Sequence, residues 1–191
     1  MDPLAQDVLG FWFGDPPTAT PRAEWFRKDP AFDAAIRARF GALVERALAG
    51  DLADWDATPG GALARIVLLD QFTRNIFRDT ARAFAGDALA LAAAQAMVAR
   101  GDDRRLSALQ RWFAYLPFEH AEDLAVQQES LRLFGALAEE APVVGGDALL
   151  WARKHHDVIA RFGRYPHRNA LLGRSSTAEE LAFLREPGSS F

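Results

Sequence analysis

Three proline dipeptides set the frame into which this chain can fold. Asp2-Pro3, Asp29-Pro30 and Thr58-Pro59 each put a side-chain oxygen directly before a proline. That pairing marks a helix start. The oxygen can accept from an orphan amide of the first turn, and proline brings a helical φ while lacking only a donor the first turn does not use. Apolar residues recur at the 3.6 period behind each one. Val8, Leu9 and Phe11-Trp12-Phe13 lead to a stop at Gly14, and Phe32, Ile36, Phe40, Leu43, Val44, Ala47 and Leu48 lead to Gly50. Leu63, Ile66, Val67 and Asp70 carry the third helix towards Asn75.

The pattern continues to the end of the chain. A fourth helix is expected from Asp87 to Arg100, closed by Gly101, and a fifth from Ser107, with Pro117 expected to end or kink it. A sixth spans Glu122 to Glu139, and a seventh runs from an Asp147 cap to Gly163. The last is announced by the capping box Thr177-Ala178-Glu179-Glu180. No segment alternates polar and apolar residues with β-branched enrichment. The expectation is one all-α domain over residues 1–191, with seven to eight helices in antiparallel pairs, stacked as a helical array or a compact bundle. Residues 15–21 read as a proline-rich loop, and Gly188 to Phe191 as a loose tail.

Composition narrows the function classes. Half of the residues are hydrophobic, 50%, which suffices for a core and excludes intrinsic disorder. Cysteine is absent, so disulfides, a thiolate nucleophile and cysteine-ligated zinc are excluded. The first residues lack the basic flank and apolar run of a secretory leader, and Ala88 to Ala99 is too short to span a bilayer. A cytoplasmic protein without membrane attachment is therefore expected. A net charge of −4 argues against nucleic acid as partner. The charge is uneven, however: Arg153, Lys154, Arg161, Arg164, Arg168 and Arg174 are opposed locally by Asp157 alone.

Candidate functional residues stand where polar groups interrupt apolar stripes, because burying them costs free energy unless they are paired. Asp70 shares the face of Ile66 and Val67, and Arg74 follows at i+4. His120 continues the face of Leu109, Trp112 and Leu116, while Glu119 beside it is expected to point elsewhere. His155 lies within the stripe Trp151, Val158 and Phe162, which makes it the imidazole expected to be buried and neutral, with His156 and Asp157 turned away. In Arg161-Phe162-Gly163-Arg164-Tyr165-Pro166-His167-Arg168-Asn169, Pro166 stiffens a loop that displays His167, Arg168 and Asn169, with Arg174 close behind.

These same stretches carry a family resemblance. Val8-Leu9-Gly10-Phe11-Trp12-Phe13-Gly14, Leu68 to Arg78, Tyr115 to Glu122 and Arg161 to Glu180 resemble the bacterial family labelled domain of unknown function nine-two-four, over essentially the full length. The resemblance implies an all-α fold of tetratricopeptide-like type and supplies no substrate, cofactor or reaction. Thr73 stands where that family usually has Pro before Arg-Asn, and Ala121 where it usually has Ser after Glu-His.

Three functions follow as expectations. The first is a binding protein with a polar pocket for a small anionic ligand or acidic peptide terminus. Arg74, Asn75, Arg78, His167, Arg168, Asn169 and Arg174 offer cationic and amide donors there without matching acids. It requires the third helix and the Pro166 loop to meet. The second is a hydrolase or lyase using His155, His120 or His167 as general base, with Asp70, Glu119 or Asp157 as partner. The third is a scaffold holding a protein partner in a helical groove, favoured if Trp25, Phe26 and Trp55 are exposed. No cofactor is expected, and no metal either, since no His-Glu-x-x-His or equivalent spacing occurs.

Overall fold

The computed structural model describes residues 1–18 and 20–189, and among them there is no β-strand. Eight helices run through these residues. They are α1 (Pro3–Phe13), α2 (Pro30–Ala49), α3, α4 (Asp87–Arg100), α5 (Ala108–Glu119), α6 (Leu124–Glu140), α7 (Pro142–Phe162) and α8 (Ala178–Phe183). Helix α3 is continuous through Pro59–Ile66, a π-helical stretch Val67–Phe72 and a last turn Thr73–Ile76. None of these helices is long and apolar enough to cross a membrane. Residues 190 and 191 of the expected tail, and residue 19 of the expected loop, lie outside the described residues.

The caps act as their chemistry dictates. Asp2, Asp29 and Thr58 accept from the amides of Leu4, Ala31 and Gly61, each ahead of its proline. Thr177 and Glu180 close a reciprocal box at α8. Gly50, Gly101 and Gly163 end α2, α4 and α7 in the left-handed conformation. The core is built around Trp12, which is fully buried and stacks on Trp25 at 5.8 Å, with Phe72 and Phe113 edge-on at 5.4 and 5.6 Å.

Two helix boundaries differ from the sequence expectation. Helix α7 begins at Pro142 and Asp147 lies inside it, so Asp147 is not its cap. The reason is close packing. Ala141 alone links α6 to α7, and a Cβ added at Gly145 would stand 2.5 Å from the Ala138 amide nitrogen. Gly145 is thus the point where the two helices touch backbone to backbone, not a break. Pro117 does not end α5 either. The helix continues through Phe118 and Glu119 to a C-cap at His120, whose amide donates to the Leu116 carbonyl at 2.9 Å. That extra half-turn sets the directions of Glu119 and His120.

Candidate functional site

The π-helical stretch of α3, the end of α5, the middle of α7 and the loop after α7 meet in one buried polar centre. Asp70 is completely buried, as expected from its place beside Ile66 and Val67. Its Oδ1 lies 2.6 Å from Nδ1 of His120 and 3.3 Å from Nη1 of Arg74, and its Oδ2 accepts from Gln71. Burial works to raise the Asp70 carboxyl, but His120 and Arg74 outweigh it and hold the group well below the usual carboxylate range. Asp70 is therefore an anion that accepts from Nδ1–H of His120. Burial, reinforced by the Arg74 charge, in turn pushes the His120 imidazole down, towards its neutral form.

Opposite this pair stands a second one. Glu119 was expected to point away from the apolar face, yet it is 3% exposed, and its Oε1 lies 3.1 Å from Nδ1 of His155. The turn past Pro117 swings it inwards. Burial, then the neighbouring Asp70 charge, raises the Glu119 carboxyl well above its ordinary value. Its Oε2 has no hydrogen-bond partner among the described residues. His155 is buried as its stripe implied, and burial pushes its imidazole down to about 3, so it is neutral. Nδ1 of His155 lies 2.9 Å from the Trp151 carbonyl. A carbonyl can only accept, so the proton sits on Nδ1 and the lone pair on Nε2. The two imidazole rings meet edge-on, 6.2 Å apart between centroids and inclined at 60°.

The loop after α7 closes the centre. Tyr165 is fully buried, and its hydroxyl donates to the Glu119 carbonyl and accepts from Gln127 at 2.8 Å. His167 lies over Tyr165 at 5.5 Å, and burial pushes its imidazole down to about 4. Arg168 lies between the rings of Tyr165 and Phe84, 4.5 and 4.7 Å from their centroids. It reaches Asp87 at 3.2 Å, and Arg74 binds the same carboxylate through two nitrogens at 2.8 and 3.1 Å. The third helix and the Pro166 loop thus meet, through Asp87.

The sequence-derived set divides accordingly. Asp70, Arg74, Glu119, His120, His155, His167 and Arg168 belong to this centre. Asn75 and Arg78 form a separate cluster on Asp33, at 2.7 Å for Asn75 and 2.8 and 2.9 Å for Arg78. Asn169 and Arg174 bond each other at 3.0 Å, and Arg174 forks onto Glu122. The idea that these donors lack matching acids is corrected by the fold. Asp33, Asp87 and Glu122 are distant in sequence and adjacent in space. The basic segment is matched in the same way, Arg161 by Glu179 and Arg164 by Glu180. Sequence reading missed Asp87, Tyr165, Gln127 and Glu122. Asp87 was legible only as a helix start, since nothing local marks a carboxylate whose partners lie in other elements.

The spacing of residues held no metal motif, yet Glu119, His120 and His155 bring ligand atoms within 4.8 Å of one another. A spacing motif does not register such a cluster, because its members come from different helices, α5 with its C-cap and α7.

Fold and site together define an all-α protein with a buried imidazole–carboxylate centre. Residues 8–188 match the family described as a bacterial protein of unknown function (DUF924), and the chain belongs to that family. Among solved structures it is similar to a protein of unknown function from Agrobacterium tumefaciens, with 41% identity and a TM-score of 0.85, covering 95% of this chain and 97% of that one. The comparison with curated proteins finds no match.

Proposed function

We propose that this chain is an enzyme of the hydrolase or lyase class whose proton acceptor is seated at the Glu119–His120–His155 cluster. The observation that carries this reading is the 2.6 Å contact between His120 and the wholly buried Asp70. A carboxylate on Nδ1 fixes the tautomer and turns Nε2 into the basic nitrogen, which is how an imidazole is prepared for proton transfer. Burying such groups costs several kcal/mol per ion on an order-of-magnitude scale, which a chain of ordinary core composition has no structural need to accept.

The guanidiniums support an anionic substituent on the substrate. Arg168 is 6% exposed and its Nε has no hydrogen-bond partner among the described residues. A dedicated anion-binding pocket is less well supported, because an incoming anion competes with Asp33, Asp87 and Glu122 for the same donors. A tetratricopeptide-like groove for a protein partner is weaker still, since Trp25 and Trp55 are buried and Phe26 alone of those three aromatics is exposed. A cytoplasmic setting suits an enzyme without cysteine.

The test is a panel of esters, phosphoesters, amides, lactones and β-elimination substrates, each assayed with the unmodified chain and with His120→Asn. The reading expects a substrate class whose turnover falls about 100-fold or more in the variant while the circular dichroism spectrum is unchanged. Equal turnover by both proteins on every substrate consumed contradicts it.

A further inference from the structure

Glu119, His120 and His155 are arranged as more than two hydrogen-bonded pairs. His120 presents Nδ1 to Asp70, and His155 presents Nδ1 to the Trp151 carbonyl at 2.9 Å and to Oε1 of Glu119 at 3.1 Å. These acceptors draw the ring proton to Nδ1 and leave the lone pair on Nε2. This is the outer support that metal-binding histidines use: a carboxylate or carbonyl behind the ring fixes the tautomer and aims the other nitrogen. The third group is a carboxylate whose buried Oε2 has no hydrogen-bond partner among the described residues. A polar network that served packing alone would close on itself, and this one leaves an acceptor open at its centre.

We propose that Glu119, His120 and His155 bind one divalent first-row transition ion, of the zinc or iron(II) type, with Asp70 and the Trp151 carbonyl holding the two imidazoles as ligands. Two imidazole nitrogens and one carboxylate oxygen form a set that suits either ion and leaves coordination positions open for water or substrate. Magnesium and calcium are excluded by the same chemistry, because they require oxygen donors. Donors about 2.1 Å from one tetrahedral ion stand about 3.4 Å apart. The ligand atoms already lie within 4.8 Å of one another, so closing onto an ion asks for shifts of about 1.4 Å or less. The nearby cations do not oppose the ion unbalanced, since Arg74 pairs with Asp70 and Asp87, and Arg168 with Asp87. This proposal rests on the preceding reading for its chemistry and would move the proton-acceptor role from Nε2 of His120, which the ion would occupy, to a metal-bound hydroxide. Ion binding itself does not require turnover.

The experiment uses the full chain without an affinity tag, stripped with a chelator and dialysed. It is titrated calorimetrically with Zn²⁺, with Fe²⁺ under anaerobic conditions and with Mg²⁺, and bound ion is counted by elemental analysis. One equivalent of zinc or iron(II) is expected, with no saturable magnesium binding. Affinity should fall about 100-fold or more in Glu119→Gln and His155→Ala, fall about 10–100-fold in Asp70→Asn, and stay unchanged in His156→Ala, which alters the adjacent imidazole outside the cluster. Should His155→Ala fail to fold, the visible absorption of Co²⁺, present in the unmodified chain and lost in the near-isosteric Glu119→Gln, reads the same site. Absence of one-equivalent binding, or binding that every variant retains, overturns the proposal. Full turnover by the stripped protein overturns the catalytic role of the ion while leaving the enzyme reading intact. An ion bound as expected, with no turnover that depends on His120, upholds the metal site and defeats the enzyme reading.

Discussion

Replacing Asp87 by alanine removes the carboxylate on which two arginines converge. Arg74 reaches it from α3 at 2.8 Å and Arg168 from the loop after α7 at 3.2 Å. The Arg168 side chain is 8% exposed, so without Asp87 its charge remains buried against the rings of Phe84 and Tyr165, repelled by Arg74 and with Glu122 as the remaining acid acting on it. Breaking a buried ion pair from one side costs about 3–5 kcal/mol. The Asp87 and Arg74 side chains are 20% and 22% exposed, which lets water recover part of that loss. A net cost of about 2–4 kcal/mol follows. At about 3 °C per kcal/mol for a chain of this size, the melting midpoint should fall by roughly 6–12 °C. Asp87→Asn keeps an acceptor oxygen while losing the charge, and should fall about half as far. The assay is thermal unfolding by circular dichroism at neutral pH, repeated at 0.5 M salt. The drop should persist in salt, because the pair is shielded from mobile ions. Glu45→Ala is the control: Glu45 pairs with Arg82 and both side chains are 54% exposed, so little change is expected. A midpoint for Asp87→Ala close to that of the unmodified chain, or a comparable drop for Glu45→Ala, would refute the reasoning.

Three further outcomes are expected. Gly145→Ala should destabilise the chain by about 1–3 kcal/mol in denaturant unfolding, because its Cβ meets Ala138 backbone at 2.5 Å. Gly146→Ala, with nothing within 4 Å, should stabilise by about 0.5–1 kcal/mol, and equal effects at the two positions would contradict the helix contact. Tyr165→Phe removes a hydroxyl shared between the Glu119 carbonyl and Gln127, and should lower stability by about 1–2 kcal/mol, read as a shift in urea midpoint. Hydrogen bonding by Arg164, opposed by burial, holds the Glu180 carboxyl at about 2, below its ordinary 4.5. Because the folded value is depressed, this contribution is complete above the ordinary value and is lost as pH falls from there towards 2. The unmodified chain should out-melt Glu180→Gln at pH 6, and the gap should narrow strongly by pH 2.5. A constant gap would count against the ion pair.

Most of the fold could be read locally because helix starts are local chemistry. Asp2, Asp29, Thr58, Ser107 and Thr177 each satisfy amides within three residues, so the caps needed no tertiary information. The errors came where tertiary contact overrides the local signal. Asp147 was expected to cap α7, whereas the helix starts at Pro142 and the missing Cβ of Gly145 is what brings α6 and α7 together. The candidate site was legible in its periodic parts. Asp70, Arg74 and His155 sit on apolar stripes, and the fold buries two of them and largely encloses Arg74. Glu119 was misdirected because its orientation depends on α5 continuing past Pro117. Asp87, Glu122 and Tyr165 left no local trace, since their partners lie far away along the chain.

The chemistry of the site depends on two neutral imidazoles that carry their protons on Nδ1 and leave Nε2 basic, with Oε1 of Glu119 3.1 Å from Nδ1 of His155. Long-range nitrogen–proton correlation by NMR, on uniformly ¹⁵N-labelled chain stripped of metal at neutral pH, reads tautomer and charge at each histidine directly. His120 and His155 should both show the neutral Nδ1–H pattern, and Asp70→Asn should disturb His120 while leaving His155 in place. An Nε2–H tautomer at either ring, or a protonated His155, would contradict the arrangement from which the site's chemistry is drawn.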